Sequence, residues 1–170
     1  MAEWYAQAVA QGAVVACRWE RLGCHRFLNM LQEAKKPSSD FIFDADRAND
    51  PCAFIETLPH IKGFAGTITL EPVQCWWIAA TFGFRERDTG RRWVREVAFW
   101  VPRKNAKTAL SVGIVLYCLN YEDEPGAEGC VAAGSEKQAD IPYLAIRQTL
   151  EKEPELKTWL MAKDTTETIR

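Results

Sequence analysis

The sequence lacks the residue spacings that bind structural metal ions. It has 6 Cys and 2 His, and no two Cys are spaced as Cys-x-x-Cys. Zinc modules need such closely spaced pairs, so this composition excludes a zinc site. We expect most of the Cys to be small buried apolar residues in a reducing compartment. They lie at positions 17, 24, 52, 75, 118 and 130.

The chain also lacks an excess of one charge and a long apolar run. With 21 Lys and Arg against 23 Asp and Glu, its net charge is -2, so nothing in the total indicates a nucleic-acid binder. Contact with DNA would have to come from local patches, and the candidates are residues 85–95, with five Arg, and residues 103–107. The alternative for the first patch is a solvated hairpin or loop.

No apolar stretch approaches the ~18 residues of a membrane helix, and no secretory signal is recognisable. We therefore expect a soluble intracellular protein without membrane contact. At 170 residues and 48% apolar composition, the chain is long enough for one domain with a real core.

The most informative segment is Val101–Thr108, which follows the apolar run 97–101 and opens into another apolar stretch. This order predicts a strand, a basic turn ending in Lys-Thr, and a helix, as in a phosphate-binding loop. Lys107 would reach the β- and γ-phosphates and the Thr108 hydroxyl would ligate Mg²⁺. The N–H groups of the turn would cradle phosphate, and they belong to Arg103, Lys104, Asn105 and Ala106.

The match to a phosphate loop is imperfect, because the standard pattern has Gly where Val101 and Ala106 stand. The alternative interpretation is a surface turn whose Arg and Lys side chains are solvated.

Patterns elsewhere predict mostly helices around two strands. Apolar periodicity over residues 3–36 predicts two helices that Gly12 separates, and Asp44 can cap a helix that ends near Leu58. The other expected elements are helices over 71–84, 135–152 and 155–162, and strands over 93–101 and 130–133. Together they predict an α/β fold: part of a P-loop NTPase-type parallel sheet over residues 61–170, with a helical N-terminal extension over residues 1–60.

Several motifs occur in an order that resembles the N-terminal ATPase domain of the large terminase subunit of tailed bacteriophages. The likeness extends from about Trp4 to Leu156. In that family the loop typically reads Arg-x-x-Gly-Lys-Ser/Thr, so Arg103, Lys107 and Thr108 match and Ala106 departs. The motifs are Leu70–Trp77, Phe82–Phe84, Gly90–Glu96, Pro102–Thr108 and Glu124–Glu128.

The resemblance implies an ATPase that uses ATP and Mg²⁺ to drive double-stranded DNA into a capsid. It implies a homo-oligomeric ring in the host cytoplasm that meets the portal protein and the small terminase subunit. It places adenine recognition on Gln74, for which the alternative is a solvent-facing or capping Gln at a helix start. It also implies that Arg103 stabilises transferred charge, in its own subunit or in a neighbour's nucleotide site.

The family's Asp-Glu pair after a later strand is missing. The acidic run 122–124 precedes the expected second strand, and Asp164 is followed by Thr165 where Glu is wanted. The family's nuclease domain is also absent from the sequence. We therefore expect the first part of a packaging ATPase, incomplete and inactive alone. Two alternatives stay open: a non-catalytic fragment that binds a partner, such as the portal or a host defence protein, and an unrelated helicase-type P-loop ATPase.

Overall fold

The structure is a computed structural model that describes residues 1–61, 65–122, 126–159, 162–163 and 168–169. The chain forms two compact units. Unit 1 comprises residues 1–52 and 70–99, and unit 2 comprises residues 53–69 and 100–170. Within the described ranges no helix has the length and apolar character needed to span a membrane. The predicted division at residue 60 stays a prediction.

Unit 1 begins with the two predicted helices, α1 (Ala2–Ala10) and α2 (Arg18–Ala34). Gly12 separates them with φ +78°, a left-handed conformation that glycine adopts without a Cβ clash. Cys17 caps α2, because its sulfur accepts from the N–H of Glu20 at 3.5 Å. The prediction of a break at Gly12 is confirmed.

A two-stranded antiparallel sheet and two further helices complete unit 1. Strand β1 (Phe41–Phe43) pairs antiparallel with β2 (Phe84–Glu86), with Ile42 opposite Arg85. Helix α3 (Ala45–Thr57) follows β1 and runs on into unit 2, and helix α4 (Pro72–Phe82) precedes β2. The Asp44 carboxylate accepts from the N–H groups of residues 46 and 47, both at 3.0 Å, which confirms the predicted cap.

Aromatic rings fill the core of unit 1. Phe84 packs edge-on against three neighbours at centroid distances between 5.0 and 5.7 Å. Each ring buries a large apolar area, so this cluster packs the β1–β2 sheet against the helices. The buried apolar residues of this core are Tyr5, Ala6, Val9, Cys24, Phe27, Leu31, Ala34, Ala48, Trp76, Ala79 and Phe84.

Unit 2 is built on α5 (Lys107–Tyr121), α6 (Glu136–Lys152) and the short α7 (Pro154–Trp159), with strands β3 (Ala162–Lys163) and β4 (Thr168–Ile169) paired antiparallel. Gly113 lies in the middle of α5 because a Cβ there would meet Ile55 at 2.6 Å. The buried core residues are Leu58, Val112, Leu116, Ala145, Ile146 and Leu150.

The expected strands over 93–101 and 130–133 are absent from the described residues, where both segments are irregular. The described strands form only two-stranded antiparallel sheets, so the fold mixes helix and strand and no parallel sheet is shown. The physical reason is that a strand needs a neighbour for its N–H and C=O groups. No described residue pairs with 94–101, and residues 95–100 are exposed. The expected helix over 155–162 is found as α7 over Pro154–Trp159, and residues 160 and 161 lie outside the described residues.

Candidate phosphate-binding site

The phosphate loop (residues 101–108) has an unusual backbone. Lys104 has φ 68° and Ala106 has φ 51° with ψ 22°, and they are the only non-glycine residues at positive φ in the described part of the chain. A left-handed conformation costs a residue with a Cβ about 1–3 kcal/mol, and such strain concentrates at binding sites. Turns that combine right- and left-handed residues aim successive N–H groups into a concavity that suits an anion.

Helix α5 starts directly after this turn. Its N-cap is Ala106, which has no side-chain acceptor for the first-turn amides. The N–H groups of residues 107–109 have no intrahelical acceptor, because the i→i−4 pattern begins only with the bond from Leu110 to Ala106 at 3.0 Å. The positive end of the helix dipole lies at the same place. The sequence therefore puts a donor-rich, electropositive helix start beside the loop.

Lys107 folds back over the loop. Its Nζ donates to the carbonyl of Val101 at 2.6 Å and to that of Pro102 at 2.7 Å. An ammonium has three N–H donors, so these two bonds leave one for a phosphate oxygen. The Asn105 amide donates to the carbonyls of Pro102 and Arg103, both at 3.2 Å, and thereby fixes the turn. The turn-holding role of this side chain was not anticipated from the sequence.

The remaining predicted residues of the loop face solvent. Arg103, Lys104 and Thr108 are exposed, and no described residue receives a hydrogen bond or ion pair from their side chains. Together with Lys107 they place three cationic groups and one hydroxyl on eight consecutive residues. The structure thus brings the predicted loop residues together in unit 2.

Gln74 lies in unit 1, at the third position of α4. It belongs to a capping box: the Glu71 side chain accepts from the Gln74 N–H, and Gln74 Oε1 accepts from the Glu71 N–H at 2.9 Å. The capping alternative is therefore realised, and Gln74 is 8% exposed. The sequence carries the signal, because an acceptor residue three positions before Gln at a helix start is a capping box. Its Nε2 group donates to none of the described residues.

In the arginine segment (residues 85–95), several side chains bind other groups of unit 1. Arg85 is 5% exposed and its Nε donates to the Phe82 carbonyl at 3.0 Å. Arg87 donates to the carbonyls of Ser39 at 2.6 Å and Lys36 at 2.9 Å, just past the end of α2. These contacts favour the hairpin interpretation over a DNA patch.

Other charges of the arginine segment are also engaged. Arg95 pairs with Glu86 at 2.6 Å, and the guanidinium of Arg92 lies 5.2 Å from the ring centre of Phe82. The Thr89 hydroxyl and Arg95, in that order of effect, hold the pKa of the Glu86 carboxyl below its usual range. Arg95 is thus paired with an acid, whereas Arg85, Arg87 and Arg92 contact carbonyl groups or an aromatic ring of unit 1.

No acidic partner for a metal ion is evident beside the loop. Among the described residues, no three His, Cys, Asp or Glu side chains form a metal-binding group. Asp164 and the acidic positions 123 and 124 lie outside the described residues. The predicted metal ligand of the loop, the Thr108 hydroxyl, is exposed in the first turn of α5.

Comparison with known proteins gives one match. Residues 72–169 match the family model for the terminase large subunit, ATPase domain, over more than half of the chain. The matched range contains Gln74, the arginine segment, the phosphate loop and α5. No curated protein and no solved structure matches the sequence.

Proposed function

Because the chain belongs to the terminase large subunit ATPase family, whose role is phage DNA packaging, we propose that it is the N-terminal ATP-binding part of such a motor. ATP would bind at residues 101–108, and its hydrolysis would move double-stranded DNA into a capsid. The observation that carries it is the loop itself: left-handed Lys104 and Ala106, the uncapped start of α5 and the inward Lys107.

Each loop residue has a role that its position supports. Lys107 would direct its remaining N–H donor to the β- and γ-phosphates, and charge-assisted bonds of this kind are the stronger ones. The N–H groups of residues 104–109 would surround the phosphate oxygens. Mg²⁺ would be held by the Thr108 hydroxyl together with phosphate oxygens and water, and it would neutralise charge on the phosphates. Arg103 is exposed and would stabilise charge on the transferred group.

Gln74 can read adenine while it caps α4. Its Oε1 is used by the Glu71 N–H, whereas Nε2 keeps its two donors. An acceptor nitrogen of the adenine ring can receive one of them. This role is compatible with the cap because the two ends of the amide do different work.

The proposed setting is the host cytoplasm, where the motor works as a homo-oligomeric ring with double-stranded DNA, the portal protein and the small terminase subunit. A second candidate is nucleotide binding without turnover, as in a terminase fragment that serves as an interaction module, for instance for a host defence protein. The lack of an Asp-Glu pair after residues 130–133 favours this second role for the chain taken alone.

Titration of the chain with a fluorescent ATP analogue tests the proposal. Lys107→Ala should weaken binding by about 10- to 100-fold, because one charged hydrogen-bond donor is worth about 1.5–3 kcal/mol. Arg91→Ala, an exposed cation of unit 1, is the matched control and should bind as the wild type does. Equal affinity of wild type and Lys107→Ala would place any nucleotide elsewhere.

Turnover separates the two candidates. The chain alone should release no phosphate above background, since the sequence supplies no acid of the expected type to hold Mg²⁺ and orient water. Steady phosphate release that Lys107→Ala abolishes would contradict this expectation. It would indicate that another acidic residue of the chain holds Mg²⁺ and orients water.

A further inference from the structure

Helix α2 has an exposed basic face in unit 1, the unit that does not contain the phosphate loop. The helix buries Cys24, Phe27 and Leu31 against the core. By the helical periodicity, other residues of the first two turns lie on the opposite face of the helix. These exposed residues are Arg18, Trp19, Arg21, Leu22, His25 and Arg26.

The positive charges of this face are not balanced within the face. The one acid in this stretch is Glu20, which is half-buried and accepts from the Tyr5 hydroxyl at 2.6 Å. Arg21 donates to the Ala16 carbonyl at 3.1 Å, and Arg26 makes no hydrogen bond or ion pair with any described residue. The α2 basic face (Arg18, Arg21 and Arg26) therefore presents three permanent charges to solvent.

An aromatic ring stands among these charges. Trp19 is 74% exposed, and the Arg18 guanidinium lies 5.4 Å from its ring centre. Singly exposed apolar side chains are common on protein surfaces, so this ring matters for its position among the three arginines. The ring also orients Arg18, since guanidinium groups stack on aromatic faces.

We propose that the α2 basic face binds the phosphodiester backbone of double-stranded DNA, with Trp19 packing beside it. This inference rests on the proposed function, because DNA is the polyanion that a packaging motor handles. Residues 18–26 span about 12 Å along the helix axis. One strand of B-DNA offers a phosphate about every 3.4 Å of its axis. The three guanidinium groups can therefore meet phosphates of one strand, and their forked donors fit phosphate oxygens.

A comparison of the three arginine-containing regions favours the α2 basic face as the DNA contact. The net charge of -2 leaves only local patches for DNA, and in the arginine segment Arg85, Arg87 and Arg95 contact other groups of unit 1. The cations of the phosphate loop are assigned to nucleotide. Of these three arginine-containing regions, the α2 basic face combines outward charge, an exposed aromatic ring and no other assigned role.

The test is duplex binding without nucleotide. Fluorescence anisotropy of a labelled duplex of about 20 base pairs (two helical turns) is followed at several NaCl concentrations. The variant Arg18→Gln/Arg21→Gln/Arg26→Gln should bind about tenfold more weakly or worse. The slope of log K against log salt should fall by about 2.7, since each phosphate contact contributes about 0.9. The matched control is Lys35→Gln/Arg91→Gln/Lys137→Gln, which removes the same charge from exposed positions elsewhere.

The triple variant should keep its helical circular dichroism, because the substituted side chains lie opposite the buried side of α2. Duplex binding equal to wild type in the triple variant would overturn the inference, as would an equal loss in the control or no binding by the wild-type chain. A chain that binds no ATP analogue yet needs the three arginines for duplex would sink the proposed function and leave this inference standing.

Discussion

The chain has two basic segments close together in sequence, and they use their charges in opposite ways. In the arginine segment, Arg85 and Arg87 bind backbone carbonyls and Arg95 binds Glu86. In the phosphate loop, Arg103 and Lys104 face solvent, and Lys104 and Ala106 have left-handed backbone conformations. The two segments therefore differ in how much of their charge contacts the rest of the protein. Arg85 and Arg87 contact carbonyl groups of unit 1, whereas the proposed binding segment leaves Arg103 and Lys104 in solvent.

Arg103 gives the largest expected effect on the loop side of this comparison. In the complete packaging motor, Arg103→Ala should cut ATP turnover by about 10³-fold or more, which is the range for an arginine that stabilises transferred charge. If it acts on a neighbouring subunit's nucleotide, the affinity of its own subunit should stay nearly intact. Turnover and analogue affinity are measured on the same preparation. A joint collapse of both would show that Arg103 grips phosphate in its own subunit.

Arg87 gives the largest expected effect on the other side. Arg87→Ala should lower the free energy of unfolding by about 1–2 kcal/mol, because it strips donors from carbonyls beyond the end of α2. Urea unfolding followed by circular dichroism measures this. Arg91→Ala, in the same hairpin but exposed, should change stability by less than about 0.5 kcal/mol. Nucleotide affinity should be unaffected in both variants. A nucleotide defect in Arg87→Ala without loss of stability would break the comparison.

Gln74 caps α4 and is proposed to contact adenine as well, and Gln74→Glu can separate the two roles. Glutamate keeps an acceptor for the Glu71 N–H, so the capping box and the stability should persist. It loses the Nε2 donors, so the preference for an ATP analogue over a GTP analogue should fall by up to about tenfold, the worth of one hydrogen bond. Competition titrations with the two analogues give the ratio. An unchanged ratio would leave Gln74 as a cap alone.

The sequence predicted local features well and long-range pairing poorly. Gly12, Asp44 and the Lys-Thr before α5 were informative because a break, a cap and a helix start depend on a few adjacent residues. The apolar run before the loop predicted a strand that the described residues do not form. Strand formation depends on a partner elsewhere in the chain, and a single run cannot supply it.

The candidate site was predicted in composition but not in conformation. Lys107 and Thr108 could be read from their order, whereas left-handed Ala106 could not, because Ala normally signals a right-handed helix. For Gln74, the capping pattern with Glu71 can be read from the sequence. The cap and the proposed adenine contact are compatible because they use different ends of the amide.

Ala106 gives the smallest expected effect and tests the loop most directly. Ala106 has φ 51°, where the Cβ of alanine destabilises the backbone conformation, whereas glycine adopts this region freely. If the left-handed loop binds nucleotide, Ala106→Gly should raise the population of that conformation and tighten binding in proportion. The gain should not exceed about fivefold, since the penalty for Ala of 1–2 kcal/mol is partly offset by the greater backbone entropy of glycine.

Ala109→Gly is the matched control, because it removes a methyl group from the first turn of α5, which is right-handed, and should not tighten binding. Both variants are titrated with the fluorescent ATP analogue. Unchanged or looser binding in Ala106→Gly would mean that the loop is adapted to Ala or that it holds no nucleotide, and the contrast with the arginine segment would then rest on Arg103 alone.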